Sequence, residues 1–176
     1  KLAGTARNRS SAVNQTSERY GLEVRGHPLT LDRIPPGFRR GAPLDDGDEL
    51  ELGRAPDGSP DWKLRALHTP GHDRGHLCFL ESRYGALIAG DMLSTLSTIV
   101  IDPPEGHLAT YLASLARLLS EPLGFLYPAH GMAWPDGQGL VRQYLAHRAE
   151  RESKLVAALE RSGERTAEAL VPEVYA

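Results

Sequence analysis

The sequence has little cysteine: Cys78, set within an apolar run, is the only one in 176 residues. A single thiol cannot form a disulfide within the chain, so we expect a reducing, cytoplasmic setting and a small core residue at this position. No apolar run approaches the roughly 20 residues that a membrane-spanning helix needs. The charged residues 1–9 also lack the apolar core of a signal peptide behind them. These absences predict no association with membranes.

An excess of charge of either sign is also absent, because the formal net charge is only -3. Such a balance gives no general attraction to nucleic acids or anionic membranes. Apolar residues make up 40% of the chain, which is enough for a hydrophobic core. The length fits one domain, with at most the beginning of another.

The pattern of apolar residues predicts a mixed sheet covered by helices. Residues 49–52 alternate with a period of two, and a turn at residues 56–60 joins them to an antiparallel strand at residues 62–68. Further strands are predicted at residues 22–25, 77–80, 86–89, 98–101 and 124–127. Mostly hairpin connections, followed by helices, favour an α+β arrangement over a Rossmann alternation.

Two amphipathic helices complete this prediction. One follows residues 103–106 and carries leucines on one face to position 119, and a long one spans residues 138–162. A weaker helix is expected to end near Tyr20, where Gly21 stops it. Residues 27–43, which include Pro35-Pro36-Gly37, are predicted to be irregular.

Three turns carry side chains that bind metals in proteins. His72 ends a Thr-Pro-Gly-His turn, Asp91 follows Gly90, and His130 precedes a glycine. Neutral imidazole and carboxylate are ligands of divalent ions such as zinc, at roughly 2.0–2.2 Å. A histidine beside a Pro-Gly turn, or an aspartate after a glycine, is usually only a polar loop residue. The three together, each expected directly after an apolar strand, predict a metal site of His72, Asp91 and His130.

These turns resemble the metallo-β-lactamase superfamily, and more narrowly its lactamase-β-like 2 branch. The resemblance rests on residues 69–72, Gly90-Asp91, the Pro-Pro-Glu-Gly run at 103–106 and the turn at 127–131, and the helical residues 147–152 also match. It implies an α/β fold of the αββα sandwich type with a dinuclear metal site at one edge of two sheets. Residues 1–162 would form largely the second half of that domain. Residues 163–176 would begin a C-terminal winged-helix module.

The resemblance also implies the role of each ligand. The histidine matching His72 binds the first metal, the aspartate matching Asp91 bridges both, and the histidine matching His130 binds the second. The two divalent ions would be zinc, with manganese or iron as alternatives. The family's upstream His-x-His-x-Asp-His turn does not occur in these 176 residues. We therefore expect this chain by itself to bind metal weakly, to be inactive, and to self-associate through an uncovered apolar face.

The implied function is metal-dependent hydrolysis, with Asp91 as the catalytic residue. A hydroxide held between the two ions would attack single-stranded RNA or a small ester or thioester. A thioesterase similar to glyoxalase II and a non-catalytic, metal-free binding module are the alternatives. His76 is expected to pack or to reach solvent at the start of a strand, with a hydrogen bond that supports a metal ligand as the alternative. His68 is expected to be structural. Basic residues on the long helix alternate with acidic ones, which is typical of a solvated face and gives RNA only mild support.

Overall fold

A computed structural model describes residues 9–34 and 38–175 of the chain. The helices are α1 (Arg9–Tyr20), α2 (Pro28–Leu31), α3 (Leu108–Leu118), α4 (Gly137–Ser162) and α5 (Ala167–Val174). The strands are β1 (Glu49–Gly53), β2 (Trp62–His68), β3 (Leu77–Glu81), β4 (Leu87–Ser94) and β5 (Leu126–His130). Among the described helices, none combines the length and the apolar character that crossing a membrane requires.

The five strands form one sheet in the order β1-β2-β3-β4-β5. The first four pair antiparallel, whereas β5 runs parallel to β4. A parallel neighbour cannot be reached through a tight hairpin, and the crossover is supplied by the segment that contains α3. The predicted mixed sheet is therefore confirmed.

One face of this sheet is covered by α3 and α4. The apolar residues of α3 recur at helical spacing, so that Tyr111, Leu115 and Leu118 are all buried against the strands. Each fully buried leucine of this kind contributes about 1.5–3 kcal/mol of transfer free energy. The strand side of the core consists of Leu67, Cys78, Leu80, Leu87, Ala89, Met92, Leu93 and Leu126.

The other face of the sheet carries an apolar row. Phe79 pairs with Ile88, and Ile88 pairs with Tyr127, so the three side chains lie side by side on neighbouring strands. Ile88 and Tyr127 are 46% and 45% exposed. The Phe125 ring stacks against that of Tyr127, at a centroid distance of 6.4 Å. A contiguous apolar surface of this kind is typical of a face that another layer covers.

Strands β4 and β5 differ from their sequence-based bounds. Gly90, with φ of 51°, shifts the pairing register instead of ending the strand, so β4 continues to Ser94 and contains Asp91. Strand β5 begins at Leu126 and ends at His130, which is therefore a strand residue.

Three irregular segments also differ from expectation. The strand predicted at residues 98–101 is wrong, because Ile99 packs into the core while Val100 is exposed and neither pairs with the sheet. Residues 22–25 form only a single bridge, between Val24 and Arg40. Within the segment predicted to be irregular, α2 makes one helical turn capped by the His27 side chain. Pro35-Pro36-Gly37 lies outside the described residues.

The exposed row generates a prediction about association. Replacing both Ile88 and Tyr127 with Thr keeps residue types that suit a strand while removing exposed apolar surface. We expect the 176-residue chain to self-associate in solution and the double variant to be largely monomeric in sedimentation-velocity runs. Val156→Thr is the matched control, since Val156 is 47% exposed on α4 and should leave association unchanged. Equal association of the double variant and the unmodified chain would show that this row is not the contact surface.

Candidate metal centre

His72 is held by a turn that rests on helix α3. The turn joins β2 to β3, and the Ser114 hydroxyl donates to the Pro70 carbonyl at 2.7 Å. At the start of α3, the backbone N–H of His107 donates to the Gly71 carbonyl at 2.8 Å. These two bonds fix the backbone on the residues directly before His72.

Gly71 itself allows the turn to approach the helix. Its φ is 130°, and a Cβ atom there would lie 2.3 Å from the backbone of Tyr111. Beyond the turn, His72 Nδ1 lies 2.9 Å from the Val100 carbonyl. Because a carbonyl only accepts, Nδ1 carries the proton and Nε2 keeps its lone pair for a ligand.

Asp91 is held from behind by a chain of hydrogen bonds. Its backbone N–H donates to His76 Nε2 at 3.1 Å, so the proton of that imidazole is on Nδ1, which donates to Thr69 Oγ1 at 2.9 Å. The Thr69 hydroxyl donates to Cys78 Sγ at 3.3 Å, and the thiol donates to the Ala89 carbonyl at 3.5 Å. We call these bonds the Cys78–Asp91 chain.

Burial keeps both titratable members of this chain neutral. It lowers the pKa of His76 to about 4, with a further contribution from the neighbouring His72. It raises the pKa of the Cys78 thiol to about 12. A Cβ on Gly90 would lie 2.6 Å from His76 Nε2, so the glycine makes room for the imidazole.

His130 reaches the site through the parallel pairing of β5 with β4. His130 is opposite Ser94 in the register, and the Thr95 N–H donates to the His130 carbonyl at 3.3 Å. The end of β5 is thereby tied to the end of β4, a few residues beyond Asp91.

The three predicted ligands are brought together. His72 Nε2 lies 4.0 Å from Asp91 Oδ2, and His130 Nε2 lies 3.3 Å from Asp91 Oδ1. Each carboxylate oxygen thus has its own imidazole. All three side chains are partly exposed to solvent, so the cluster is accessible from outside.

These distances can be compared with what a metal requires. Two donors bound to one divalent ion at about 2.0–2.2 Å lie between about 3 and 4 Å apart. Both imidazole–carboxylate separations fall within or at the limit of that range. Three donors nevertheless leave two ions with open coordination, and no group of three or more His, Cys, Asp or Glu within residues 9–34 and 38–175 meets the requirements of a metal cluster. The two separations are thus compatible with imidazole–carboxylate donor pairs, but the three side chains do not by themselves form a complete metal site.

The charged residues around the cluster neutralise one another. Arg33 pairs with Asp73 at 2.6 Å and with Glu105 at 3.1 Å, and Arg74 pairs with Glu105 at 3.0 Å. Burial acts to raise the pKa of Asp73, but hydrogen bonds from Arg33 and Gly75 outweigh it and hold the pKa below its usual value. The hydrogen bond from Arg74 lowers the pKa of Glu105.

Two further histidines support the elements around the cluster. His76 is buried at the start of β3 and also accepts from the Asp91 N–H, which agrees with the alternative of a supporting hydrogen bond. His107 caps α3, with Nδ1 accepting from the Thr110 N–H. His68 stacks on His27 with ring centroids 4.2 Å apart, which agrees with a structural role.

Comparison with known proteins identifies relatives of this arrangement. Residues 9–130 match the family model described as the metallo-beta-lactamase superfamily. The atrochrysone carboxyl ACP thioesterase of Claviceps purpurea is 35% identical over 117 residues, which are 64% of this chain and 36% of the relative. Atrochrysone carboxyl ACP thioesterase AgnL7 of Paecilomyces divaricatus is 31% identical over 152 residues, 81% of this chain and 45% of the relative. The chain thus spans between about a third and less than half of these curated relatives.

Solved structures share the fold. The metallo-beta-lactamase family protein TTHA1429 from Thermus thermophilus aligns with a TM-score of 0.58 and 26% identity, over 97% of this chain and 55% of that one. TTHA1623, solved in a di-iron-bound form, aligns with a TM-score of 0.59 and 29% identity, over 73% of this chain and 67% of that one.

Because Gly71 lies against the backbone of Tyr111, adding one methyl group there should strongly lower the stability of the fold. Gly71→Ala should lower the free energy of unfolding by about 4 kcal/mol or more, because the added Cβ meets helix backbone and the positive φ is strained. Gly58→Ala is the matched control, since Gly58 also has a positive φ but nothing lies within 4 Å of its Cβ position. That variant should lose only about 1–2 kcal/mol. Urea denaturation measures both, and equal losses would contradict the predicted clash.

Two substitutions of His76 distinguish the hydrogen bond that Nε2 accepts from Asp91 from the hydrogen bond that Nδ1 donates to Thr69. In His76→Gln the amide oxygen can occupy the place of Nε2 and still accept from Asp91, whereas His76→Asn reaches only as far as Nδ1. We expect His76→Asn to lose about 1–3 kcal/mol of unfolding free energy, because the Asp91 N–H is left without a partner, and His76→Gln to lose less. Denaturant titration of both variants gives the comparison. A glutamine variant as unstable as the asparagine one would mean that the bond to Asp91 is not the important contact.

Proposed function

Because the chain belongs to the metallo-β-lactamase superfamily of hydrolases, which typically bind divalent metals, we propose that it contributes His72, Asp91 and His130 to a dinuclear centre that hydrolyses a thioester. Zinc is the first choice of metal, with manganese or iron as alternatives. Asp91 would bridge the two ions, His72 would bind the first, and His130 would bind the second.

One observation carries this proposal. The two oxygens of Asp91 face two different imidazoles, at 4.0 Å and 3.3 Å. A structural ion pair needs only one such contact, whereas a carboxylate with one histidine on each oxygen has the donor arrangement of a bridging ligand. Since three donors cannot complete two coordination shells, the 176-residue chain alone should bind metal weakly and show little turnover.

The chain's own residues prepare the site for this chemistry. When bound, divalent ions lower the pKa of a coordinated water towards neutrality and polarise a carbonyl oxygen. The Val100 carbonyl holds His72 in the tautomer that leaves Nε2 free. His76 holds the backbone of Asp91, which limits the orientations available to the carboxylate. Partial exposure of the three ligands gives a substrate access to them.

A thioester is favoured over RNA on two grounds. Curated relatives bear the name of an acyl carrier protein thioesterase. Two arginines close to the His72 turn, Arg33 and Arg74, are already paired with Asp73 and Glu105, which reduces the positive charge available to a phosphate backbone. Glyoxalase-II-like chemistry belongs to the same reaction class. A metal-free binding module remains the alternative that the experiment below must exclude.

We also propose that the chain contains parts of two structural units. Residues 1–162 form part of the catalytic domain, and residues 163–176 begin a further, winged-helix-like module. The support is local: α5 is capped by Thr166 and forms with α4 a small cluster of Ala158, Leu170 and Val174 that is separate from the main core.

The function is tested on the intact gene product that contains this chain. We expect about two divalent ions per chain by plasma mass spectrometry, and release of thiol from S-benzoyl pantetheine without cleavage of a single-stranded RNA. Asp91→Asn should reduce the metal content to one ion or fewer and kcat/KM by about 10³-fold or more. Asp61→Asn is the control, because Asp61 is exposed at the opposite end of β2 from the His72 turn.

Two other results would contradict the proposed function. Cleavage of RNA with no thioester hydrolysis would overturn the substrate class. An intact protein without bound metal, and with full stability after Asp91→Asn, would favour the binding module.

A further inference from the structure

A cavity of about 440 Å³ opens on the His130 side of the carboxylate. Its lining includes Ser94 and Thr95, the residues whose backbone is tied to His130. Leu140 and Tyr144 of α4 form another wall, and Leu96 and Trp134 lie on the loops that follow β4 and β5. The cavity therefore lies next to the end of β5 that carries His130, and its size is within the range of small-molecule sites.

The lining of this cavity carries no formal charge. Its residues are serine, threonine, leucine, tryptophan, glutamine, tyrosine and histidine, with no aspartate, glutamate, lysine or arginine. A second cavity of about 350 Å³, on the His72 side, is instead lined by Arg25, Asp73 and Asp91 among others. The centre thus has an uncharged side and a charged side.

Two apolar side chains stand exposed at the His130 side. Leu96 is 75% exposed and Met132 is 79% exposed. The backbone N–H of Met132 donates to Thr95 Oγ1 at 2.7 Å, which ties the two loops together next to His130. Apolar surface held beside a functional cluster is typical of a binding site, because it gains free energy when a ligand removes it from water.

The side chain of Tyr144, on the wall that α4 forms, is held in position by hydrogen bonds to Ser94. The Tyr144 hydroxyl accepts from the Ser94 N–H at 2.9 Å and lies 2.7 Å from the Ser94 carbonyl, to which it donates. Its polar end is therefore satisfied by the end of β4, and the ring is held in place for packing. Leu140 beside it belongs to the main core.

We propose that this cavity, which we call the acyl pocket, binds the apolar acyl group of the thioester and selects aromatic acyl groups over acetyl. The inference rests on the proposed thioester hydrolysis. That reaction consumes one water, breaks the C–S bond, and releases a carboxylic acid and a thiol that takes up a proton. With the carbonyl at the metal centre, the aromatic ring lies against Leu96, Trp134 and Tyr144, and the polar thiol arm lies on the charged side.

Binding can be measured without turnover, using 2-naphthoate as a mimic of the acid product. Trp62 and Trp134 are the only tryptophans, so Trp62→Phe leaves Trp134 as the sole indole reporter in the acyl pocket. We expect saturable quenching of Trp134 fluorescence by 2-naphthoate and none by acetate. Calorimetric titration of the unmodified chain provides the same comparison if Trp62→Phe is poorly folded.

Leu96→Glu tests the location of the site. Leu96 is exposed, so the change should leave folding intact while placing a carboxylate beside the ring, and we expect at least 10-fold weaker binding of 2-naphthoate. Val171→Glu on α5 is the control, since Val171 is also exposed and does not line the pocket. Equal affinity of the Leu96→Glu and Val171→Glu variants, or no binding of 2-naphthoate up to 10 mM (about ten times a weak 1 mM Kd), would overturn the proposal.

Selectivity is then measured in the intact gene product with S-(2-naphthoyl) and S-acetyl pantetheine. Leu96→Glu should lower kcat/KM at least 10-fold more for the naphthoyl substrate than for the acetyl substrate, whereas Val171→Glu, outside the pocket, should leave both unchanged. An equal loss for the two substrates would contradict an acyl pocket. Binding of 2-naphthoate in a protein that hydrolyses neither thioester would refute the proposed function while supporting the pocket's preference for an aromatic acid.

Discussion

The Cys78–Asp91 chain is the constraint on which the rest of the site depends. It links Thr69, directly after β2, to Cys78 of β3 and to Ala89 and Asp91 of β4. Only one arrangement of protons satisfies every bond, because the Asp91 N–H can only donate and the Ala89 carbonyl can only accept. Loss of one partner would leave a buried polar group unpaired, at a cost of about 1–3 kcal/mol. The position of the central carboxylate is therefore fixed by the interior of the sheet rather than by the loop in front of it.

Helix α3 provides the second support, and it acts on both sides of the site. It contacts the turn before His72 through its N-cap His107 and through Ser114. The Tyr111 hydroxyl donates to the Met92 carbonyl at 2.8 Å, next to Asp91 on β4. The Arg148 guanidinium of α4 lies 5.6 Å from the centroid of the Tyr111 ring. Packing of α3 on the sheet thus contributes to the separation between His72 and Asp91, since the helix contacts the backbone next to both.

The parts of the structure that could be predicted from the sequence are those with a local cause. Helix α4 begins at an aspartate cap and ends at Gly163, and its sequence-based bounds were nearly correct. That His72, Asp91 and His130 come together could be predicted because proline and glycine mark the turns beside them. The strand predicted at residues 98–101 was wrong because apolar residues there suit a strand but have no neighbouring strand to pair with. The sequence predicts a strand that ends before Gly90, whereas β4 continues past it. The reason for the glycine is not local, because the space beside it is occupied by the imidazole of His76, 14 positions away.

The exposed apolar row and the proposed metal ligands lie on the same two strands. Ile88 and Asp91 lie three residues apart on β4, and Tyr127 and His130 lie three residues apart on β5. At about 3.3 Å per residue, each exposed apolar residue is roughly 10 Å along the strand from a proposed ligand. Because the same strands carry both, a change in the packing of β4 or β5 would move Asp91 and His130 together with the apolar row. Under the proposed function, metal affinity would therefore depend on packing of the sheet as well as on the three side chains.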